Sequence, residues 1–553
     1  GSRSDVAKQF AASVNEIFID EYQDSNGVQG DILRAVSGVE DGRYNIFMVG
    51  DVKQSIYRFR MAKPELFMEK YDTYSLEEGP ERRIDLHNNF RSRNEVIESV
   101  NFIFRQLMHN SVGKVEYDKA AELVTGAGYP DDPGQGSYNT EFLILESGEG
   151  GRLSGYAKIQ AEARMVALRI KRMVESGTFF VKQDEKILRP VRYGDIAILL
   201  RSAKGWKDVL SQVLEEAGIP LKETSATGYF NAPEVMVTLS LLELIDNEMQ
   251  DVPLAAVLKS PVCGFTSKEL AKIRANHPKG SFYSAVAGYR KGITEGDNEI
   301  SEEIKERLDQ FFDMLSEFRN KAVFLPVNEL IELVVTSTGY LDFVAAMPGG
   351  KMRRENILML MERAVAFEST SFKGLFNFLR YIDRMKKYEI EFPEPESTAE
   401  YEDKVRIMTI HKSKGLEVPV VFLCGTSKQF NRADKSAPVV LHSDMGAGID
   451  YIDPDRRVKY HSLVKNVLSS RVELEDMGEE LRVLYVAMTR PKEKLIITTY
   501  TDNAENKFSN YGYIADSETL SLGFSDISGA GSFSDWLFMS LVRPSEYIEV
   551  HTE

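Results

Sequence analysis

The sequence predicts an α/β protein in which parallel-sheet domains are interrupted by a block of helices. Three observations lead there. Short apolar runs without polar alternation, such as Ile17-Phe18-Ile19 and Val418 to Leu423, suit strands buried on both faces of a parallel sheet. Segments of helical periodicity separate these runs, as in repeated strand–helix units. From Ala232 to about Lys387 the alternation disappears and helical patterns take over, with breaks near Pro261, Pro278 and Pro348-Gly349-Gly350.

In chain order, residues 5–15 read as a helix leading into the strand Ile17–Ile19. A helix follows Asp24 and ends near Ser37-Gly38. A second buried strand runs from Tyr44 to Val49, and Pro64 opens a helix that Glu65 to Tyr71 continue. A third strand is expected over Arg83 to Leu86. Ser92 and Glu95 have capping-box spacing before a helix to about Met108. Residues 110–136 are rich in Gly, Pro and Asp and read as a loop. Alternation resumes with Phe142 to Leu145 (strand), Tyr156 to Glu175 (helix), Asp195 to Leu200 (strand) and Trp206 to Ala217 (helix). After the helical block, Glu391 to Glu402 is an acidic linker. Val405 to Ile410, Val418 to Leu423 and Lys494 to Thr499 are expected strands. Leu481, Leu484, Tyr485 and Met488 recur at helical spacing within Glu473 to Thr489. The tail from Thr501 is weakly patterned, although Phe533, Trp536, Leu537 and Leu541 suggest a docking turn.

A chain of 553 residues exceeds what one core supports, so three or four structural units are expected. Its two cysteines, Cys263 and Cys424, lack metal-site spacing and fit a reducing, cytoplasmic setting. Net charge is −17, which by itself speaks against a phosphate-binding protein. Two basic clusters cut across that average: Lys53, Arg58, Arg60 and Lys63, then Arg91 and Arg93. Such clusters are usually solvated faces.

The densest chemistry lies at Glu16-Ile-Phe-Ile-Asp-Glu-Tyr-Gln-Asp24. Ligands of open α/β sheets sit at the carboxyl ends of strands, and Asp20 and Glu21 are two adjacent carboxylates at such an end. One can hold a hydrated Mg²⁺ while the other serves as general base. An acidic, helix-capping turn is the competing reading, and these nine residues alone do not choose between them.

Four further stretches bear on that choice: Val49 to Arg60, which contains Gln54-Ser-Ile-Tyr-Arg-Phe-Arg60; Leu86-His-Asn-Asn-Phe-Arg-Ser92; Thr409-Ile-His-Lys-Ser-Lys-Gly-Leu-Glu417; and Glu479 to Arg490. Together with Asp20-Glu-Tyr-Gln-Asp24, and in this order, they resemble the motor motifs of superfamily 1 DNA helicases of the UvrD/Rep/RecB type. The acidic stretch corresponds to that family's Walker B motif. Within the family the chain resembles the AddA-type subunits of AddAB helicase–nucleases, through Gln54 to Arg60, the Leu441-His442 to Tyr460-His461 segment and Ser532 to Leu537.

The resemblance implies ATP and Mg²⁺ as cofactors, DNA as substrate, 3′→5′ translocation in double-strand-break processing, and an AddB-type partner. It places Asp20 on the metal, makes Glu21 the base that deprotonates water, and brings Gln54, Arg91 and Arg490 to the γ-phosphate. Phe90 would stack on adenine, where relatives often carry Tyr, and Glu417 would touch the ribose. Tyr57 and Phe59 would stack on single-stranded bases, with Arg60 adding phosphate attraction and His411 on the DNA side; many relatives carry Trp at the position of Phe59. A terminal helix Arg such as Arg490 otherwise serves the helix dipole, and Arg482 reads as structural.

The implied fold is RecA-like: a truncated first motor domain (1–80), then a nearly complete second one (81–262 and 400–510) that carries a helical insertion domain (263–399), and a tail (511–553). No Gly-x-x-x-x-Gly-Lys-Ser/Thr loop occurs in the sequence, and no nuclease metal cluster is visible after residue 501. The chain therefore reads as an internal piece of a longer protein, inactive alone. The rival readings are a stand-alone UvrD-like repair helicase and a non-catalytic DNA-binding scaffold subunit.

Overall fold

A computed structural model describes residues 4–130, 137–147, 155–184, 187–222, 228–293, 300–347, 350–370, 372–387, 403–431 and 437–553. The chain forms two compact units, residues 1–222 with 401–553, and residues 223–400. The acidic linker expected at 391–402 lies outside the described residues.

The first unit is built on two parallel sheets. Strands β1 (Ile17–Ile19) and β2 (Ile46–Met48) pair in register, with Phe18 opposite Phe47. The second sheet contains β3 (Thr140–Glu146), β4 (Ile196–Leu200), β5 (Arg406–Thr409), β6 (Val418–Cys424), β7 (Pro491–Thr501) and β8 (Ile548–Thr552). Their spatial order is β8-β3-β7-β6-β4-β5, and every neighbouring pair is parallel.

The second sheet is buried on both faces, as its apolar strands require. Phe142, Leu199, Val421 and Ile497 point into one core, with helices Asn94–Leu107, Leu463–Met488 and Phe533–Leu541. Leu143, Ile198, Phe422 and Ile496 point into the other, against helices Gly155–Glu175 and Lys207–Glu216. Alternate side chains of each strand thus serve opposite layers.

The second unit is helical. Helices from Pro233–Asp246 to Leu375–Lys387 enclose a core that includes Leu241, Leu242, Phe311, Ile331, Leu360 and Phe378. Pro233–Asp246 and Asp251–Lys259 precede residue 263, yet they belong to this core.

Several expectations need correction. The first two strands are not buried on both faces: Phe18 is 70% exposed and Phe47 is exposed beside it, with ring centroids 5.8 Å apart. Arg83 to Leu86 does not form a strand. Arg83 donates to Tyr71 O at 2.7 Å and lies over the Tyr71 ring, so this segment is tied to helix Glu65–Thr73 rather than to a ladder. Parallel pairing comes later, between Asn88–Asn89 and Val124–Thr125, and only the second of these lies inside the stretch 110–136 expected to be loop.

Ser92 is not a cap either. Its hydroxyl donates to Pro491 O at 2.9 Å, and Arg93 occupies the N-cap position without a side-chain bond. The helix expected from Glu473 begins ten residues earlier, where the Ser462 hydroxyl accepts the Lys465 N–H. Its last two turns, Leu481 to Met488, are buried all round, which an amphipathic pattern would not allow. Between β6 and this helix an antiparallel meander, Val439–His442, Gly446–Asp453 and Val458–His461, was not foreseen as strands.

The tail is part of the core. Helix Phe533–Leu541 is buried along its length and β8 forms an edge of the sheet. Trp536 has no exposed surface, donates its indole N–H to Ile527 O at 3.0 Å, and packs on Phe430 and Phe533. Replacing a buried Trp by Ala costs ~3–5 kcal/mol. Trp536→Ala is therefore expected to lower the urea midpoint of the α/β unit by that equivalent. A midpoint close to the parent's would mean the tail contributes little to the core.

Candidate nucleotide and DNA site

The acidic turn begins where β1 ends. Glu21 takes a left-handed backbone conformation (φ 51°), its N–H donates to Asp20 Oδ1 at 2.8 Å, and Tyr22 N–H donates to Val49 O. The Gln23 side chain bridges the ends of β1 and β2. Its amide N–H donates to Glu21 Oε2 at 2.5 Å, and its carbonyl accepts the Asp51 N–H at 3.0 Å. Asp20 and Glu21 are both exposed.

The following turn is pinned by Asp51, which accepts from Lys53 N–H at 3.0 Å and Gln54 Nε2 at 3.1 Å and pairs with Lys53 Nζ at 2.9 Å. Burial pushes the Asp51 carboxyl up, but the Lys53 charge and these hydrogen bonds outweigh it and hold it below the usual range.

Lys414, which sequence reasoning did not single out, ties these turns together. Its nearly buried ammonium lies 2.5 Å from Asp24 Oδ2, 2.8 Å from Gln54 O and 3.3 Å from Glu21 Oε2, and faces the Tyr57 ring. Burial raises the Asp24 carboxyl above its ordinary value despite this partner. The only sequence signal for Lys414 was its place in the Thr409–Glu417 stretch.

Arg490 follows the long helix and is 2% exposed. Its guanidinium donates to Val486 O (2.9 Å), Gln54 Oε1 (3.2 Å), Thr489 Oγ1 (3.2 Å) and Leu416 O (3.4 Å). These acceptors are all neutral, and among the described residues no carboxylate comes within ion-pair distance of it. Burial, then the nearby Arg91 charge, lowers its pKa from the ordinary value, yet an Arg stays protonated.

Arg91 pairs with Glu417, which Lys492 also holds at 2.8 Å. Burial opposes ionisation of Glu417, but Lys492 and Arg91 keep its carboxyl below the usual range. Glu417 and Arg490 stand directly before β6 and β7, at the amino ends of those strands. Phe90 is largely exposed, and its ring lies against Gly126, where a Cβ would come within 2.8–2.9 Å of ring atoms.

Tyr57, Phe59, Arg60 and His411 form a second cluster. Phe59 is 64% exposed, its ring centroid 5.8 Å from Tyr57 and 5.5 Å from His411. Tyr57 OH donates to His411 O at 3.3 Å, and the Arg60 guanidinium lies 5.2 and 5.6 Å from the Tyr57 and Phe59 ring centroids. Phe59 is thus not a core residue. Arg482 is structural in effect: it is buried and donates to Ser55 O at 2.7 Å and Gly113 O at 3.2 Å. Cys424 is buried in the sheet, and burial raises the Cys263 thiol to about 12; neither behaves as a nucleophile.

A six-stranded parallel sheet covered by helices on both faces, beside a two-stranded parallel sheet that ends in an acidic turn, fits the RecA-like fold class. The family model described as the UvrD-like helicase C-terminal domain matches residues 84–502. That of the UvrD/REP helicase N-terminal domain matches residues 2–75. The chain belongs to the UvrD-like helicase family. It is 42% identical over 546 residues to the A subunit of the ATP-dependent helicase/nuclease of Bacillus cereus (strain B4264), covering 98% of this chain and 43% of that protein. The corresponding proteins of Bacillus anthracis and Bacillus thuringiensis (strain Al Hakam) give the same figures. The chain thus spans less than half the length of these curated relatives.

Burial, with the charges of Arg201, Arg60 and Lys414, lowers the His411 imidazole from 6.5 to about 4. Between pH 6.5 and 4 the unfolded chain takes up a proton here that the folded chain refuses. Stability tied to this group is therefore complete above pH 6.5 and falls as pH drops towards 4. His411→Asn is expected to make the loss of stability between pH 6.5 and 4.5 shallower. Parallel urea titrations of both proteins check this, and identical slopes would show that His411 titrates normally.

Proposed function

We propose that this chain contributes to an ATP-driven motor that moves 3′→5′ along single-stranded DNA, within a cytoplasmic helicase–nuclease that processes double-strand breaks with a second, AddB-type subunit. The carrying observation is Arg490. A buried guanidinium bonded only to neutral oxygens is costly unless an anion completes it. It touches Gln54, whose neighbours are the acidic turn and Lys414. A nucleotide γ-phosphate is the anion this arrangement suits.

The residues fit a Mg²⁺ of the kind that binds nucleotide phosphates. Among the described residues no three acidic, His or Cys side chains converge as a metal cage. A hydrated ion held through one carboxylate, Asp20, and the phosphates needs none. Bound there, the ion would neutralise charge between the phosphates.

The chain's own groups supply the rest. Glu21, oriented by Gln23 and Lys414, accepts the proton of the attacking water. The Gln54 amide senses the γ-phosphate, and Arg490 and Arg91 stabilise charge on its oxygens as the bond to the β-phosphate breaks. Phe90 stacks on the base. Glu417, held by Arg91 and Lys492 in this structure, reaches the ribose if Arg91 turns to phosphate. Tyr57 and Phe59 stack on DNA bases, with Arg60 beside them.

Arginine fingers contribute ~10³–10⁵ in rate. In a protein that joins this chain to a phosphate-binding loop, Arg490→Ala is expected to cut DNA-stimulated ATP hydrolysis by ~10³ or more and leave single-strand affinity nearly unchanged. Turnover within a few-fold of the parent would overturn the assignment.

The 553-residue sequence contains no Gly-x-x-x-x-Gly-Lys-Ser/Thr segment, the loop whose backbone N–H groups, Lys and Ser/Thr cradle phosphates. Purified alone and mixed with Mg-ATP and single-stranded DNA, it is expected to show no turnover. Hydrolysis that disappears on mutating Arg490 would prove this wrong.

A further inference from the structure

The stacking loop is fastened to the long helix by an ion-pair network that the proposed function does not use. Arg58 lies between Tyr57 and Phe59, yet its side chain is engaged elsewhere. Its guanidinium donates to Asp476 Oδ1 at 2.7 Å and to Glu475 Oε2 at 2.5 Å, and its backbone N–H donates to Glu479 Oε1 at 3.2 Å. Three residues earlier, Ser55 O accepts from Arg482 Nε at 2.7 Å. Positions 475, 479 and 482 recur at i, i+4 and i+7 and so line one face of helix Leu463–Met488.

The carboxylates are anchored in turn. Glu475 accepts from Arg471 Nε at 2.8 Å and lies 3.3 Å from His442 Nε2 of the meander. Burial raises the Glu479 carboxyl above its ordinary value. An isolated surface pair would carry little weight. Here one guanidinium meets two carboxylates, a third carboxylate takes the same residue's N–H, and every partner sits on one rigid element. That element runs on to Met488, and Arg490, two residues further, bonds Gln54.

We propose that Arg58 is a positioning residue: its pairing with Glu475 and Asp476 clamps the Tyr57–Phe59 loop to the helix that leads to Arg490. Movement of that helix then carries the stacking platform with it. This rests on the reading of Tyr57 and Phe59 as the DNA platform.

The sign of one effect separates the clamp from plain electrostatics. Glu475→Gln with Asp476→Asn removes two negative charges near the DNA-facing loop. Charge alone then predicts tighter binding of single-stranded DNA. The clamp predicts the opposite. We expect the double variant of the full 553-residue chain to bind a fluorescent oligothymidine at least fivefold more weakly at low salt, with faster tryptic cleavage after Arg60. Arg58→Lys keeps the positive charge but not the forked geometry, so it should lose affinity in the same direction. It also serves if the double variant does not fold. Glu475→Asp with Asp476→Glu should bind within about twofold of the parent.

Phe59→Ala is the control for the underlying reading, since stacking contributes ~1–3 kcal/mol per base. Unchanged affinity in Phe59→Ala would sink the stacking reading, and the proteolysis would still report on the clamp. Weaker binding in Phe59→Ala, together with unchanged or tighter binding and unchanged proteolysis in the clamp variants, would overturn the proposal.

Discussion

A guanidinium that keeps its charge while almost wholly buried sets the terms for the surrounding structure. Arg490 has four hydrogen-bond acceptors and no counter-charge at ion-pair distance among the described residues. Leaving a buried charge uncompensated costs several kcal/mol, on the order of 3–5. The fold limits that cost in two ways. The end of helix Leu463–Met488 supplies carbonyl and hydroxyl oxygens from Val486 and Thr489, and the Gln54 amide is held towards Arg490 by its own bond to Asp51. Lys414 braces the neighbouring acids by reaching Asp24, Glu21 and the Gln54 carbonyl at once. Neutral acceptors suffice to keep Arg490 in place but not to compensate its charge, which is the condition under which a bound anion gains most.

Nearly all of the central sheet was legible because a strand buried on both faces has no other way to be written than as an unbroken apolar run. The exceptions share a physical cause. Phe18 and Phe47 are apolar enough for burial, but sequence cannot say which elements cover them, and in this structure their faces are open. β8 is an edge strand whose residues Glu549, His551 and Thr552 carry no apolar signal, so its parallel pairing with β3 had to be seen. Ser92 had the spacing of a cap, yet a hydroxyl within reach of Pro491 O prefers a buried bond to an exposed one.

The candidate site was legible as residue types in order, and less so as pairings. Asp20, Glu21, Gln54, Arg91 and Arg490 were named from their stretches, and the structure brings Gln54 onto Arg490. It also engages Glu417 with Arg91 and Lys492, a contact between residues far apart in sequence that no local pattern encodes. Lys414 escaped notice for the same reason: its partners lie some 360 to 390 positions away. Such long-range polar contacts depend on how the strands are ordered, and strand order is what single-sequence periodicity leaves open.

The overall charge of −17 hides how the acids are placed. Part of the surplus lies on one stretch of one helix, Glu473 to Glu480, and there it faces cations: Glu480 grips Arg201 through both nitrogens of its fork, and Glu475 and Asp476 grip Arg58. Pairing these arginines leaves Arg60 beside Tyr57 and Phe59, with Lys414 also facing the Tyr57 ring. An acidic average is therefore compatible with a loop that meets a polyanion, because the carboxylates are turned towards the scaffold of the loop and not towards its exposed rings. Beyond a Debye length, about 8–10 Å in physiological salt, exposed charges are largely screened, so the overall charge says little about any one loop. Within that distance the placement of individual partners decides, so on the proposed reading stacking outweighs phosphate attraction as the source of grip.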